Sequence, residues 1–167
     1  FTSWQVGQLG YGASATTTVG RACVTVKNST GGYQLRTSWY KAGINSDKLI
    51  NDGIHHDGSP QRSTSITVQV SGLSNGTHSL QAYHNNCDGL NGASITVSVN
   101  GRKVTTVNPS NRAASTAKAA KSYVTFTGSS ATIVYSSNTD FFINSLEFDV
   151  ADANALATSP YPSDNDL

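Results

Sequence analysis

The sequence predicts an all-β protein, an antiparallel β-sandwich, and three observations support this. Charged residues make up only 13% of the 167 residues, and glycine occurs 15 times, a balance that is common in β proteins with many turns. β-Branched and aromatic residues recur in short runs that turn residues separate. Several runs alternate apolar and polar residues, as strands with one buried face do. The predicted strands are residues 24–26, 34–40, 65–70, 78–84, 93–99, 123–126, 132–135 and 142–150.

The alternation within the strands indicates which residues form the core. Ile66, Val68 and Val70 share one face of a strand, and so do the apolar residues of 95–99. Asn100-Gly101 is a tight-turn dipeptide, so residues 102–107 are predicted to pair with the strand before it. Residues 113–121 have a helical composition without an apolar stripe and could form either a helix or an irregular loop. This order of elements predicts a meander or a jelly roll.

The length of the chain favours one domain, residues 1–150, followed by a tail, residues 151–167. A domain of this size buries about two-thirds of the surface that its unfolded chain exposes. The tail is rich in Ala, Ser, Pro and Asp, and Pro160 and Pro162 oppose regular structure there. We expect the tail to be a linker to a further domain.

Charge and hydropathy argue against two classes of partner. The formal net charge is +1 and the basic residues are scattered, which gives no electrostatic footprint for nucleic acid or for an anionic membrane. No apolar run reaches about 18 residues, so we expect a soluble protein. The low charge is typical of secreted β proteins, and two N-glycosylation triplets, at Asn28 and Asn75, agree with export. A secreted, extracellular protein is therefore predicted.

Cys23 and Cys87 are the two cysteines of the chain. Their spacing fits neither a zinc site nor a redox pair. In an oxidising compartment they are expected either to form one disulfide or to remain as free buried thiols. A disulfide would tie the segment around residue 87 to the strand at 24–26.

Two turn segments carry an unusual density of polar and aromatic side chains. Residues 52–58 read Asp-Gly-Ile-His-His-Asp-Gly, and residues 83–89 read Tyr-His-Asn-Asn-Cys-Asp-Gly. A sugar ring presents hydroxyl groups and apolar C–H faces, so its binding site needs fixed amides and carboxylates beside an aromatic ring. We therefore predict a shallow or end-on carbohydrate site that contains Tyr40, His55, His56, Asp57, His84, Asn85, Asn86 and Asp88.

Each of these residues also has a structural interpretation. His84 shares a strand face with two apolar residues and could be a buried, satisfied histidine. Asp57 precedes a glycine, which is a common turn dipeptide. Tyr40 could pack in the core, and adjacent histidines in an extended segment diverge too much to bind one metal ion easily. Asn144 falls on the core face of the last strand, where a buried amide either ties down a loop or faces the site.

Four stretches of the chain resemble a known family. They are Gly-Leu-Ser-Asn-Gly-Thr-His-Ser-Leu at 72–80, Tyr-His-Asn at 83–85, residues 95–100, and Phe-Ile-Asn-Ser-Leu-Glu-Phe at 142–148. They resemble the malectin-like and galactose-binding-like jelly-roll carbohydrate-binding modules of extracellular polysaccharide-degrading enzymes, particularly lyases. The resemblance covers about residues 20–150.

The resemblance implies a jelly roll that binds sugars at the loops of one end or on a concave sheet face. It places His84, Asn85 and Asp88 where such modules have polar residues just past a strand. Many of the galactose-binding-like modules also hold a structural calcium ion. Because no dense acidic loop marks such a site here, no cofactor is predicted.

The predicted function is that of a non-catalytic module that keeps an attached polysaccharide-active enzyme near its substrate. Glu147 is the only glutamate and has no evident partner carboxylate for glycoside hydrolysis. The catalytic alternative is a lyase that uses Tyr83 with His84 or His55 as base and acid. A structural spacer without affinity for sugar is the third class.

The glycan itself could be neutral or acidic. Arg36, Lys41 and Lys48 lie near the first turn segment and could pair with uronate carboxylates. Surface lysines usually have no such specific role, so both classes of glycan stay open at this point.

Overall fold

The protein is described by a computed structural model at residues 4–39, 49–56, 62–87, 89 and 91–150, with only the backbone of Trp39. Within this part of the chain there is no α-helix, and no helix that is long and apolar enough to cross a membrane. The strands are β1 (Gln8–Leu9), β2 (Ser14–Val19), β3 (Ala22–Asn28), β4 (Leu35–Trp39), β5 (Asp52–His56), β6 (Thr64–Ser71), β7 (Thr77–Asn86), β8 (Ile95–Val99), β9 (Arg102–Val107), β10 (Ser110–Asn111), β11 (Ala120–Thr127), β12 (Ala131–Ser137) and β13 (Leu146–Phe148).

One layer is a six-stranded antiparallel sheet with the strand order β2-β3-β6-β12-β8-β9. Its four inner strands, β3, β6, β12 and β8, alternate between buried and more exposed residues, as in β8, where three apolar residues are buried and Thr96 and Ser98 are partly exposed. The hairpin predicted at Asn100-Gly101 is present, since β8 pairs with β9. Both turn residues have positive φ, the conformation that this type of turn requires.

The other layer is built around β7, which pairs with β11 and β13 in antiparallel and with the short β10 in parallel. A three-stranded sheet, β1-β4-β5, extends this layer through a bridge between Ile54 and Ile143. The two layers enclose the apolar core. Ile66, Val68 and Val70, which were predicted to share one strand face, are part of this core. The predicted all-β antiparallel sandwich is confirmed.

Residues 113–121, which could have been a helix or a loop, form a single 3-10 turn at Thr116–Lys118 and then enter β11 at Ala120. The absence of an apolar stripe explains why no longer helix forms. The tail predicted at 151–167 lies outside the described residues, so its role as a linker stays a prediction.

Of the two expected states of the cysteines, the structure has the free thiols and not the disulfide. Cys23 is partly exposed between buried Ala22 and Val24, and therefore points away from the core on the six-stranded sheet. Cys87 is fully buried and follows β7 in the other layer. Because the thiols belong to different layers and one faces outward, the fold keeps them apart.

The glycosylation triplet at Asn28 is also not usable in the folded protein. The Asn28 side chain is fully buried, and its Nδ2 donates hydrogen bonds to the carbonyl oxygens of Leu9 and Tyr33. Asn75, in contrast, is exposed. Only the second triplet therefore agrees with the predicted export.

Gly53 occupies a position in β5 that has no room for a side chain. A Cβ atom there would lie 2.8 Å from the backbone oxygen of Ile143 and 2.9 Å from Cα of Asn144. Because both atoms belong to the backbone, Gly53→Ala should lower the free energy of unfolding by about 1–3 kcal/mol. Gly10→Ala is the matched control, since nothing lies within 4 Å of its added Cβ. Equal urea midpoints for the two variants would contradict this packing.

Candidate functional site

The residues predicted to bind sugar divide into two groups. The side chains of His55, His56, His84, Asn85 and Asn86 are each no more than 4% exposed. We call these five residues the polar core network. Tyr40, Asp57 and Asp88 lie outside the described residues, so their part in a site stays a prediction.

Asp140 holds the histidines of β5 in place. Its Oδ2 accepts a hydrogen bond from Nδ1 of His55 at 2.6 Å. Its Oδ1 accepts from the backbone N–H groups of His56 at 3.0 Å and Phe141 at 2.8 Å. The His55 ring also stacks on Phe142, with 4.4 Å between ring centroids and 9° between ring planes. These contacts hold β5 against the segment that follows β12 and leave the His55 side chain buried.

His56 and His84 are buried and uncharged at neutral pH. Burial lowers the pKa of His56 to about 4, although the Asp140 carboxylate opposes this shift. Burial lowers the pKa of His84 to about 4 as well. His56 donates from Nε2 to Oδ1 of Asn28 at 2.9 Å. His84 donates from Nδ1 to the carbonyl oxygen of Phe142 and accepts at Nε2 from Ser122. The structural interpretation of His84 therefore holds.

Asn85 and Asn144 bind backbone groups rather than facing an open site. Oδ1 of Asn85 accepts from the backbone N–H of Ala113 at 2.8 Å and from the hydroxyl of Ser110 at 3.0 Å. Oδ1 of Asn144 accepts from the backbone N–H of Asn85 at 2.6 Å, and its Nδ2 donates to the backbone oxygen of Asp52 at 2.8 Å. Asn144 is partly exposed rather than buried, and it ties the start of β5 to β7 rather than a loop.

The placement of the polar core network corrects the predicted site. His55, His56, His84 and Asn85 make hydrogen bonds inside the protein, as buried polar groups usually do, and through them support the ends of β5 and β7. In the described structure they present no surface to a sugar. The two predicted segments do lie side by side, because Nδ2 of Asn144 donates to the backbone oxygens of both Asp52, at 2.8 Å, and Asn85, at 3.1 Å.

The surface offers a different candidate, an open groove of about 510 Å³ at one end of the six-stranded sheet. It lies where β3 and β12 end and where β6 and β8 begin. No lining residue is charged, and nine of the eleven carry a hydroxyl group. We call it the hydroxyl groove, and its lining residues are Ser29, Thr30, Gly31, Ser63, Thr64, Ser65, Ser94, Thr96, Ser136, Ser137 and Asn138.

Hydrogen bonds fix the positions of several groove hydroxyls. The Thr30 hydroxyl accepts from the backbone N–H of Ser65 at 2.6 Å and donates to the backbone oxygen of Ser65 at 3.2 Å. Thr64 donates to the backbone oxygen of Thr139 at 2.8 Å. Ser137 donates to the backbone oxygen of Ala93 at 3.2 Å. Thr30, Thr64 and Ser137 are themselves buried and support the groove from below. Its exposed and partly exposed hydroxyls are those of Ser29, Ser63, Ser65, Ser94, Thr96 and Ser136.

Two tyrosines lie beside the hydroxyl groove. The guanidinium carbon of Arg62 is 5.8 Å from the centroid of the Tyr33 ring. Tyr33 is two residues from Gly31 of the groove lining, and Arg62 is next to Ser63 of the lining. The contact between Tyr33 and Arg62 therefore joins two segments that contribute to the groove. Tyr11, which is 72% exposed, stands in a turn whose next residue, Gly12, donates to the backbone oxygen of Asn28. Aromatic rings and hydroxyls therefore occur together at this end of the sandwich.

No group of three or more His, Cys, Asp or Glu residues that could hold a metal ion occurs among the described residues. The most buried carboxylate, that of Asp140, is instead occupied by three N–H donors. A calcium cage built from carboxylate and carbonyl oxygens therefore does not fit the residues around Asp140.

The proposed acid–base pair of a lyase does not share a surface. Tyr83 and His84 are consecutive in β7, so their side chains point to opposite faces, and both are buried. The Tyr83 hydroxyl donates to Oε2 of Glu147 at 2.8 Å. The His55 ring is buried on Asp140 and Phe142. The described geometry thus gives the catalytic alternative no site.

No protein-family model and no curated protein matches the chain. Solved structures that are similar include a family 35 carbohydrate-binding module from an environmental isolate, at 17% identity and a TM-score of 0.44 over 87% of this chain and 92% of the other. Another, from Clostridium thermocellum, has 12% identity and a TM-score of 0.45 over 83% and 99%. A third, in complex with a disaccharide that contains glucuronic acid, has 15% identity and a TM-score of 0.40 over 87% and 94%. At these values the likeness carries no ligand or activity over to this chain.

Proposed function

We propose that this protein is a non-catalytic carbohydrate-binding module and that the sugar occupies the hydroxyl groove. The observation that carries the proposal is the lining of the groove, with nine hydroxyls, one amide and no charged group around about 510 Å³. A hydroxyl both donates and accepts hydrogen bonds, so this lining matches the hydroxyls of a sugar. Nothing in the lining is an acid, a base or a carboxylate that could cleave a glycosidic bond.

The proposed affinity is modest. A sugar exchanges hydrogen bonds to water for hydrogen bonds to protein, and each exchange gains only about 1 kcal/mol. Apolar contact with an aromatic ring adds to this, and Tyr33, whose ring Arg62 contacts, is two residues along the chain from Gly31 of the groove lining. A weak module becomes useful when it is attached to an enzyme, because it raises the local concentration of the substrate. We therefore propose a secreted module whose tail, residues 151–167, leads to a polysaccharide-active enzyme.

The test is a substitution that fills the groove. Ser136 lies in β12 on the outward face, so Ser136→Phe should weaken retention by the preferred glycan at least tenfold, while thermal unfolding stays near that of the original protein. Thr132→Phe is the matched control because Thr132 lies on the same face of the same strand, four residues earlier and outside the groove lining. Affinity electrophoresis across neutral and uronate polysaccharides measures the retention.

The same experiment separates the other classes of function. Retention that survives in Ser136→Phe would place the site elsewhere. A protein that no polysaccharide retains, and that releases no product, would be a spacer. Release of unsaturated sugars would show a lyase.

A further inference from the structure

The groove hydroxyls form part of a longer row that crosses the sheet. Ser136 in β12 pairs directly with Ser65 in β6 and with Thr96 in β8. Thr96 in turn pairs with the exposed Thr106 in the edge strand β9. At the other end, the backbone N–H of Ser29 donates to the backbone oxygen of Ser65. The hydroxyl row, Ser29, Ser65, Ser136, Thr96 and Thr106, thus crosses four neighbouring strands and the residue that follows β3, on one face.

The row has the dimensions of a binding track. Neighbouring strands lie about 4.8 Å apart, so the five members of the hydroxyl row span roughly 19 Å from the first to the last. The hydroxyl row is therefore several sugar residues long, and its members recur at a spacing close to the length of one sugar unit. Thr106 lies beyond the groove lining, which means that the row continues out of the groove toward the edge of the sheet.

The neighbouring row on the same face has a different chemistry. It lies two residues away along each strand, or three in β9 because of a register shift, and its members are Lys27, Thr67, Val134, Ser98 and Lys103. A chain that ran along β12 would pass from Ser136 to Val134 after one step. A chain that runs across the strands meets a hydroxyl at every step.

We propose that the groove takes the interior of an uncharged polysaccharide chain, which lies across β6, β12 and β8 along the hydroxyl row. This rests on the proposed function and names its ligand class. An uncharged chain fits because no residue of the groove lining carries a charge with which a uronate carboxylate could pair, and Lys27 and Lys103 belong to the neighbouring row and not to the lining. An interior segment fits because the row continues past the groove at Thr106 and reaches the sheet edge.

The test uses oligosaccharides of increasing length, from one to six units, cut from whichever polysaccharide retains the protein. Calorimetry should show an affinity that rises with each added unit until the row is spanned, and that is unchanged when both chain ends are chemically blocked. Thr106→Ala should weaken the hexasaccharide about fivefold, the value of one hydrogen bond, and leave the disaccharide unchanged. Thr132→Ala, on the same face but outside the row, should leave both unchanged.

Three outcomes would overturn this inference while leaving the proposed function intact. They are equal affinity for a single sugar and for the hexasaccharide, loss of binding when the chain ends are blocked, and retention only by uronate polysaccharides in a salt-sensitive manner. If Ser136→Phe binds the glycan as well as the original protein does, the proposed function of the groove itself fails.

Discussion

Asp140→Ala is expected to lower the free energy of unfolding by at least about 3 kcal/mol, because it leaves buried hydrogen-bond donors without partners. The Asp140 carboxylate accepts from the ring of His55 and from the backbone N–H groups of His56 and Phe141. All these groups lie where water does not reach. The loss should therefore far exceed the effect of an ordinary surface substitution. Urea unfolding at pH 7 measures it.

Two variants sharpen this test. Asp140→Asn keeps one oxygen as an acceptor for the two backbone N–H groups, so its loss should be smaller than that of Asp140→Ala. Asp52→Ala removes an exposed carboxylate from the same hairpin and should stay within about 0.5 kcal/mol of the original protein. If Asp140→Ala unfolds at the same urea concentration as Asp52→Ala, Asp140 does not have this supporting role.

The sandwich could be predicted because alternation within a strand is a local property. Residues 65–70, 78–84 and 132–135 each show it, and each corresponds to a strand of the structure, β6, β7 and β12. Ser14–Val19 was not predicted as a strand, because a run of Thr and Ala has little contrast between its two faces. Its pairing with β3 defines it instead, and that information lies outside the segment.

The site could not be predicted in the same way. Asp52–His56 was interpreted as a binding turn because Asp-Gly and paired histidines are unusual in a strand. The segment is a strand because it pairs with β4, and the residues that bury His55, namely Asp140 and Phe142, come more than eighty residues later. The hydroxyl groove depends on the same kind of distant pairing, since Ser65, Thr96 and Ser136 become neighbours only through the sheet. Single serines and threonines carry no signal of their own.

Acid should destabilise the protein strongly between pH 6.5 and about 4, because His56 and His84 are buried in their neutral form. The pKa of each is about 4 in the folded protein, since burial disfavours the charged ring, whereas an unfolded histidine has a pKa near 6.5. In this window the unfolded chain binds more protons than the folded one, so stability falls as the pH falls. Each histidine should contribute a loss on the order of 2 kcal/mol at pH 4.5 relative to pH 7.5.

Two variants assign this loss to particular rings. His84→Asn removes one titrating group, so the change in unfolding free energy between pH 7.5 and 4.5 should fall by about half, whatever the variant costs at pH 7.5. His78→Gln is the control, because hydrogen bonds to Ser74 and Asp149 raise the pKa of His78. Its contribution is therefore complete below pH 6.5 and is lost only at higher pH. Parallel pH profiles for the original protein and His84→Asn would show that His84 is not the buried neutral group inferred from its contacts with Phe142 and Ser122.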